Sequence, residues 1–228
     1  MFVVIEGIDG AGKGTVTAAV ADRLKAEYQK TVSTVSFPRY EQTVYGRLIG
    51  RYLNGEFGES THRYLPGTLY SLDRFEARDW LKEQIRLHDV VLSDRYVSSN
   101  LCYSAMKAPP ELRHEIAKHF TDFEFGELGA SKPDVHVFLD MPVDFAVQNI
   151  AKKAKRVYTD RPADIIEADH AFLAEVRKFY VEDLCRYLPG KTTAAVIECV
   201  KDGELRSIES ITQSVCSLIV DANGKLLF

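Results

Sequence analysis

The stretch FVVIEGIDGAGKGT, residues 2–15, decides the fold. FVVIE (2–6) is a continuous apolar run rich in β-branched residues, and it stops at Gly7. Such a run reads as a strand covered on both faces. Gly7, Gly10 and Gly12 let the chain turn sharply, and a helical stretch follows from about residue 13 to 28. A buried strand that turns through glycines straight into a helix opens an α/β unit.

The rest of the chain repeats that alternation. Further strands are expected at VSTVSF (32–37, ended by Pro38), VVLSD (90–94), VHVFLD (135–140) and AAVIECV (194–200). Helical stretches fall at about 42–54, 68–87, 111–121, 143–155, 167–187 and 207–220. The pattern predicts a three-layer α/β sandwich, a five-stranded parallel sheet with helices on both faces, over residues 1–228 as one domain. Ligands of such sheets sit beyond the C-terminal ends of the strands. The polar residues at those ends, Glu6–Lys13, Pro38–Arg39, Asp94–Arg95 and Asp140, are therefore the ones to read for function.

Composition narrows the choices. The 228 residues are 46% hydrophobic, enough to bury one good core. A net charge of −4 argues against a general nucleic-acid binder but leaves room for a small anionic substrate. Cys102, Cys185, Cys199 and Cys216 form no C-x-x-C pair, so free thiols in a reducing, cytoplasmic setting are expected. The N-terminal apolar run lacks the features of a signal peptide, and no run is long enough to span a membrane.

GIDGAGKGT (7–15) comes close to G-x-x-x-x-G-K-[ST], the phosphate loop of P-loop NTPases, in the strand-to-helix context that motif needs. Gly7, Ile8, Asp9, Gly10, Ala11, Gly12, Lys13, Gly14 and Thr15 are the candidate ATP-binding residues. Backbone N–H groups and the helix start would cradle phosphate, and Lys13 would reach the β- and γ-phosphates. Two residues depart from the pattern. Asp9 puts a negative charge in an anion-binding loop, and Gly14 stands where a metal-binding hydroxyl is usual, with Thr15 next to it. A GKGT ending also occurs in adenylate kinases and some relatives, which points to monophosphate kinases. Asp94, ending an apolar strand, can hold Mg²⁺ directly or through water.

Arg95 and Arg39 follow two strand ends, and a guanidinium fork suits a phosphate. Either alone reads equally well as a surface arginine. Two arginines and a lysine at one crevice imply more phosphate than one nucleotide carries. Tyr70 and Arg74 are four residues apart and share a helix face, while Asn100 offers both a donor and an acceptor to a neutral base edge. Tyr70 and Tyr103 also read as core aromatics when taken singly.

GIDGAGKGT, FPRY (37–40), YSLDR (70–74) and DRYVSSNLCYSA (94–105) together resemble bacterial-type thymidylate kinases in order and spacing, from Met1 to about Tyr180. That resemblance implies ATP and Mg²⁺ as cofactors and transfer from ATP to dTMP. It implies that Arg95, helped by Arg39, clamps the acceptor phosphate. It places Tyr70 on thymine, Arg74 at O4, Asn100 at N3 and Tyr103 over the 2′ carbon, with Ser99 among the substrate contacts. Asp9 would meet the sugar 3′-OH or the clamping arginine. Phe is common in the family where this chain has Tyr70. The family's usual homodimer is implied as well.

KKAKRVYTDRPADIIE (152–167) is locally basic and reads either as a solvated helix end or as a lid over 152–163. Arg156 and Arg161 are the candidates to offset charge on the transferring phosphoryl group. Asp9, Asp94 and Glu167 are the candidate metal carboxylates, and Ile165 stands where the family often has arginine. Two other readings stay open on the residues alone. One is a deoxynucleoside or other nucleoside monophosphate kinase of the same fold. The other is a non-catalytic P-loop protein, for which SKPD (131–134) faintly resembles a guanine-reading motif but precedes its strand rather than following one.

Overall fold

In a computed structural model, which describes residues 1–58, 62–152, 170–221 and 224–227, five parallel strands form one sheet. They are β1 (Phe2–Glu6), β2 (Val32–Ser36), β3 (Val90–Asp94), β4 (Val135–Asp140) and β5 (Thr193–Glu198), in the order β2-β3-β1-β4-β5. The order follows from burial. FVVIE, VVLSD and VHVFLD are covered on both faces and take the centre, whereas VSTVS and TAAVIE alternate in exposure and take the edges.

The helices are α1 (Lys13–Ala26), α2 (Val44–Leu53), α3 (Tyr64–Glu76), α4 (Arg78–Leu87), α5 (Val97–Met106), α6 (Arg113–Thr121), α7 (Val143–Lys152), α8 (His170–Glu182) and α9 (Ile208–Cys216). α1 packs with α9, while α5 packs with α3, α6 and α8, so helices cover both faces, as right-handed crossovers require. The chain leaves β1 in one direction to reach β2 and later builds outward the other way through β4 to β5. The crevice above β1 and β3 is thus the topological switch point, where ligands of open α/β sheets bind. The expected five-stranded sandwich is the observed one.

Three local expectations change. The helix expected over 68–87 begins at Tyr64 and bends at Ala77 (φ −85, ψ −3) into α3 and α4. The bend lets α3 pack on α2 and α5 while α4 packs on β3. The segment expected as a strand to residue 200 ends at Glu198, and Val200–Lys201 pairs with Glu204–Leu205 in a small hairpin. Helix α5 has no counterpart in the periodicity of the sequence. It is buried nearly all round, so no polar stripe marks it.

What starts α5 is a carboxylate from 90 residues upstream. Glu6, at the end of β1 and fully buried, accepts from the backbone N–H of Tyr96 (2.8 Å) and Ser99 (3.1 Å). It also accepts from the hydroxyls of Ser99 (2.6 Å) and Tyr180 (3.0 Å). A charged acceptor at the positive end of a helix satisfies the N–H groups that the helix itself cannot. Of the cysteines, Cys102, Cys199 and Cys216 are buried free thiols, and Cys185 is an exposed one. No described helix is long and apolar enough to cross a membrane.

Candidate active site

A cavity of about 300 Å³ opens above the C-terminal ends of β1 and β3. Asp9, Gly10, Gly12, Lys13 and Gly14, with Asp94 beside Gly14, line the side of the loop after β1; Tyr70, Arg74 and Asn100 line another part; Tyr103 and Arg95 reach Asp9, and Ser99 adjoins Arg95. Residues from the loop after β1, from α3, from the turn after β3 and from α5 therefore meet in one space.

The loop is tightly built. Gly12 (φ +85) precedes α1, and Gly10 (φ +83) lies against α7, where an added Cβ would stand 2.1 Å from the Ala146 carbonyl oxygen. Asn149 on α7 donates to the Gly10 carbonyl (3.0 Å). Lys13 Nζ donates to the carbonyls of Gly7 and Ile8, both at 2.9 Å. Burial first, and the nearby Arg95 next, lower the Lys13 ammonium to about 8, against the opposing pull of Asp9, Asp94 and Glu6. A Cβ at Gly14 would stand 3.2 Å from Asp94 Oδ2. A side chain at that place would therefore need Asp94 to give by a few tenths of an ångström. Thr15 is exposed on α1 and does not line the cavity.

Asp9 is matched in charge. Its carboxylate pairs with Arg95 Nη2 and accepts from the Tyr103 hydroxyl (2.8 Å). Arg95 Nη1 donates to Ser99 Oγ (3.1 Å). Arg95 has φ +66, a left-handed conformation unfavourable for any residue with a side chain. It is held there by its N–H to the Ile5 carbonyl (3.0 Å) and by the Ser93 hydroxyl, which donates to the Arg95 carbonyl (2.5 Å). Backbone strain held in place by its surroundings is a mark of functional positions. Asp9 pushes the Arg95 guanidinium up despite its burial, so Arg95 is permanently charged. Burial and Asp9 together push the Tyr103 hydroxyl up, so it stays protonated and donates.

The part around Arg74 and Asn100 is a buried polar wall. Arg74 is 5% exposed and meets Glu124 through Nε and Nη2, both at 2.5 Å. Asn100 Nδ2 donates to the Gly67 carbonyl and to Glu124 Oε1, both at 2.9 Å. Asn100 Oδ1 accepts from Ser104 Oγ (3.0 Å). Tyr70 lines the cavity beside Pro66.

A model for thymidylate kinase matches residues 5–201. The chain belongs to the thymidylate kinase family. The thymidylate kinase of Mycobacterium tuberculosis is 36% identical over 157 residues, covering 68% of this chain and 73% of that protein. A probable thymidylate kinase of Archaeoglobus fulgidus is 27% identical over 214 residues, covering 92% of this chain and 95% of that protein. Among solved structures, the thymidylate kinase of Candida albicans superposes with a TM-score of 0.71 at 18% identity, over all of this chain and 94% of the other, which shows the shared fold.

Against the family pattern, one expected contact lies elsewhere in this structure. The Arg39 guanidinium stacks over Trp80, 4.3 Å from the ring centroid, and Nε donates to Gln42 (2.7 Å), so it does not line the cavity. Its backbone is tied inward instead: Arg39 N–H donates to Asp73 Oδ2 (3.0 Å), and Asp73 also accepts from the Thr43 hydroxyl. Thr43 in turn caps α2 through the Gly46 N–H (2.9 Å). Asp73 thereby fixes the loop whose Phe37, Pro38 and Tyr40 form one wall. Gly7, Ile8 and Ala11 are buried within the phosphate loop rather than facing the cavity. Arg156, Arg161 and Glu167, with residues 153–163 of the expected lid, lie outside the described residues. Asp140, singled out by its strand-end position, is taken by Arg177 of α8 in a two-bonded pair (2.5 and 2.9 Å). Asp134 of SKPD accepts from the Phe2 N–H (2.7 Å) at the opposite end of the sheet, which leaves it no part in reading a base at this cavity.

Sequence reasoning flagged Glu6 only as a strand-end polar residue, without its part in starting α5, and missed Asp73, Glu124 and Asn149. Each carries a charge or an amide in an otherwise apolar or helical stretch, but the partner that makes it necessary is far away in sequence. Arg63, Tyr40 and Lys107 also line the cavity and were not foreseen.

Proposed function

We propose that this chain transfers the γ-phosphoryl group of ATP to dTMP, giving ADP and dTDP, as the family's members do. The observation that carries the reading is a single cavity that joins a phosphate loop to Arg95 and to the donor–acceptor pair of Arg74 and Asn100. An acceptor phosphate already bears its anionic nucleophile, so the site needs cations and alignment rather than a base. Arg95 grips the acceptor phosphate. Asp9 orients Arg95 and the sugar, and Tyr103 packs beside them over the 2′ carbon. Tyr70 stacks on the base. Lys13 leaves the Gly7 and Ile8 carbonyls for the β- and γ-phosphates.

Asp9 and Asp94 both line the phosphate end of the cavity. This donor set fits Mg²⁺, a hard cation usually held by one or two carboxylates with water and substrate phosphates completing its shell. When bound, the ion would neutralise phosphate charge. From the sequence we further propose that residues 152–163 serve as a lid within a single 1–228 domain, with Arg156 and Arg161 acting on the transferring group. Single Arg→Ala changes at each should lower kcat; unchanged kcat in both would remove that role. A homodimer is proposed too, in keeping with the exposed Val44, Leu65, Phe75 and Trp80 of α2–α4; a monomeric mass by light scattering would rule it out.

Purified protein with ATP and separate acceptors (dTMP, dUMP, dCMP, AMP, thymidine) should release ADP most efficiently with dTMP. No ADP above background with dTMP, alongside turnover of another acceptor, would refute the reading.

The lowered Lys13 gives a pH dependence. A polyphosphate binds the protonated amine, so ATP affinity should be level below pH 8. Above the free-site value of about 8 it should fall by about tenfold per unit, with proton uptake on binding. Calorimetric titration at pH 7 and pH 9 checks this, and equal Kd values would contradict it.

A further inference from the structure

We propose that Glu124 is a positioning residue that sets the donor–acceptor polarity of the base-reading wall. The inference rests on the reading of the site as one for dTMP. Glu124 is 1% exposed, on a wide π-helical turn (Asp122–Glu127) that follows α6. It does not line the cavity; it stands behind the residues that do.

Its two oxygens gather two helices. Oε2 takes Arg74 Nε, and Oε1 takes Arg74 Nη2 (both 2.5 Å), Ser71 Oγ (3.0 Å) and Asn100 Nδ2 (2.9 Å). An ionised carboxylate only accepts. Every group that meets Glu124 must therefore turn a donor towards it, and that fixes what each has left to offer. Arg74 commits Nε and Nη2, which leaves Nη1 as a donor for the cavity. Asn100 commits the hydrogens of Nδ2 to Glu124, the Gly67 carbonyl and the Ser71 hydroxyl (3.1 Å), so its amide cannot flip without placing an oxygen against a carboxylate and a carbonyl. Oδ1 already accepts from Ser104 Oγ (3.0 Å), and its second lone pair is the acceptor left for the cavity.

A donor beside an acceptor suits a base edge that presents O4 and N3–H. Cytosine presents the reverse, an amino group and an unprotonated N3. Thymine and uracil share the favoured edge, so Glu124 should act on the choice between dTMP and dCMP and have no hold on dTMP against dUMP. A buried arginine also needs its counter-charge to stay put, and both demands fall on one side chain.

Glu124→Gln keeps the shape but turns one acceptor into a donor and removes the charge. The expected result is a KM for dTMP raised by about 10- to 100-fold with kcat within about threefold. The ratio of kcat/KM for dTMP over dCMP should fall at least about tenfold, while the ratio for dTMP over dUMP holds within about twofold. Glu124→Asp, which keeps the charge but withdraws it by one methylene, should shift the same ratio less, and it carries the test if the Gln variant does not fold. Loss of kcat with all three acceptors in equal proportion would mark a structural role and overturn the inference. So would an unchanged dTMP/dCMP ratio in a wild-type background that prefers dTMP. A wild-type protein that does not phosphorylate dTMP would instead overturn the proposed function itself.

Discussion

Arg95→Ala should lower kcat/KM for dTMP by at least about 10³-fold while leaving the KM for ATP within about threefold. Arg95 lines the same cavity as the phosphate loop and the base wall, paired with Asp9 and bonded to Ser99. Its guanidinium is the group best placed to take a second phosphate by two parallel bonds. The change keeps the backbone cost nearly constant, because alanine and arginine are both unfavourable at φ +66. The loss thus reports the side chain. Arg95→Lys restores charge without the fork and should recover less than about tenfold. Steady-state kinetics with each substrate varied in turn decides the matter. Equal losses towards ATP and dTMP would show a collapsed loop instead of a missing clamp.

Gly10→Ala should be the most damaging single methyl in the phosphate loop. Its Cβ would fall 2.1 Å from the Ala146 carbonyl oxygen and 2.6 Å from the carbonyl carbon, both backbone atoms of α7. Either the loop or the helix must move, and φ +83 adds strain. The expected cost is about 3 kcal/mol, a fall in Tm of about 6–12 °C for a chain of this size. A loop displaced by about 1 Å should also lose about 10²-fold in kcat. Gly12→Ala is the control. Its φ is +85, yet a Cβ there meets nothing within 4 Å, so only the backbone term of about 1 kcal/mol applies. Melting curves of the two variants separate close packing from backbone strain. Equal Tm values would show that α7 gives way freely.

The fold was legible where local pattern and tertiary burial agree. FVVIE, VVLSD and VHVFLD are apolar because both faces are covered, so their runs announced the central strands. Helix α5 was not legible, because burial on nearly all sides erases the period that marks a surface helix, and its cap comes from Glu6 on another strand. The site divides in the same way. Lys13, Asp9, Arg95 and Asn100 lie in short motifs whose spacing is itself the signal. Arg39 has the right position at a strand end, but Trp80, 41 residues later, draws its side chain outward. Nothing local in DFEFGE marks Glu124 as the partner of Arg74, 50 residues earlier.

Three of the cavity's cations are already satisfied by the protein: Lys13 by the loop carbonyls, Arg95 by Asp9 and Arg74 by Glu124. At Lys13, nucleotide binding is then an exchange of partners rather than the filling of a vacancy, while Arg95 and Arg74 keep their carboxylates and offer their remaining donors. The measured affinity reflects only the difference between new bonds and old ones, so a ligand must match geometry as well as charge to displace them. Inorganic anions, which bring charge without the length to reach several cations at once, start at a disadvantage, and the Gly7 and Ile8 carbonyls act as a built-in competitor for Lys13.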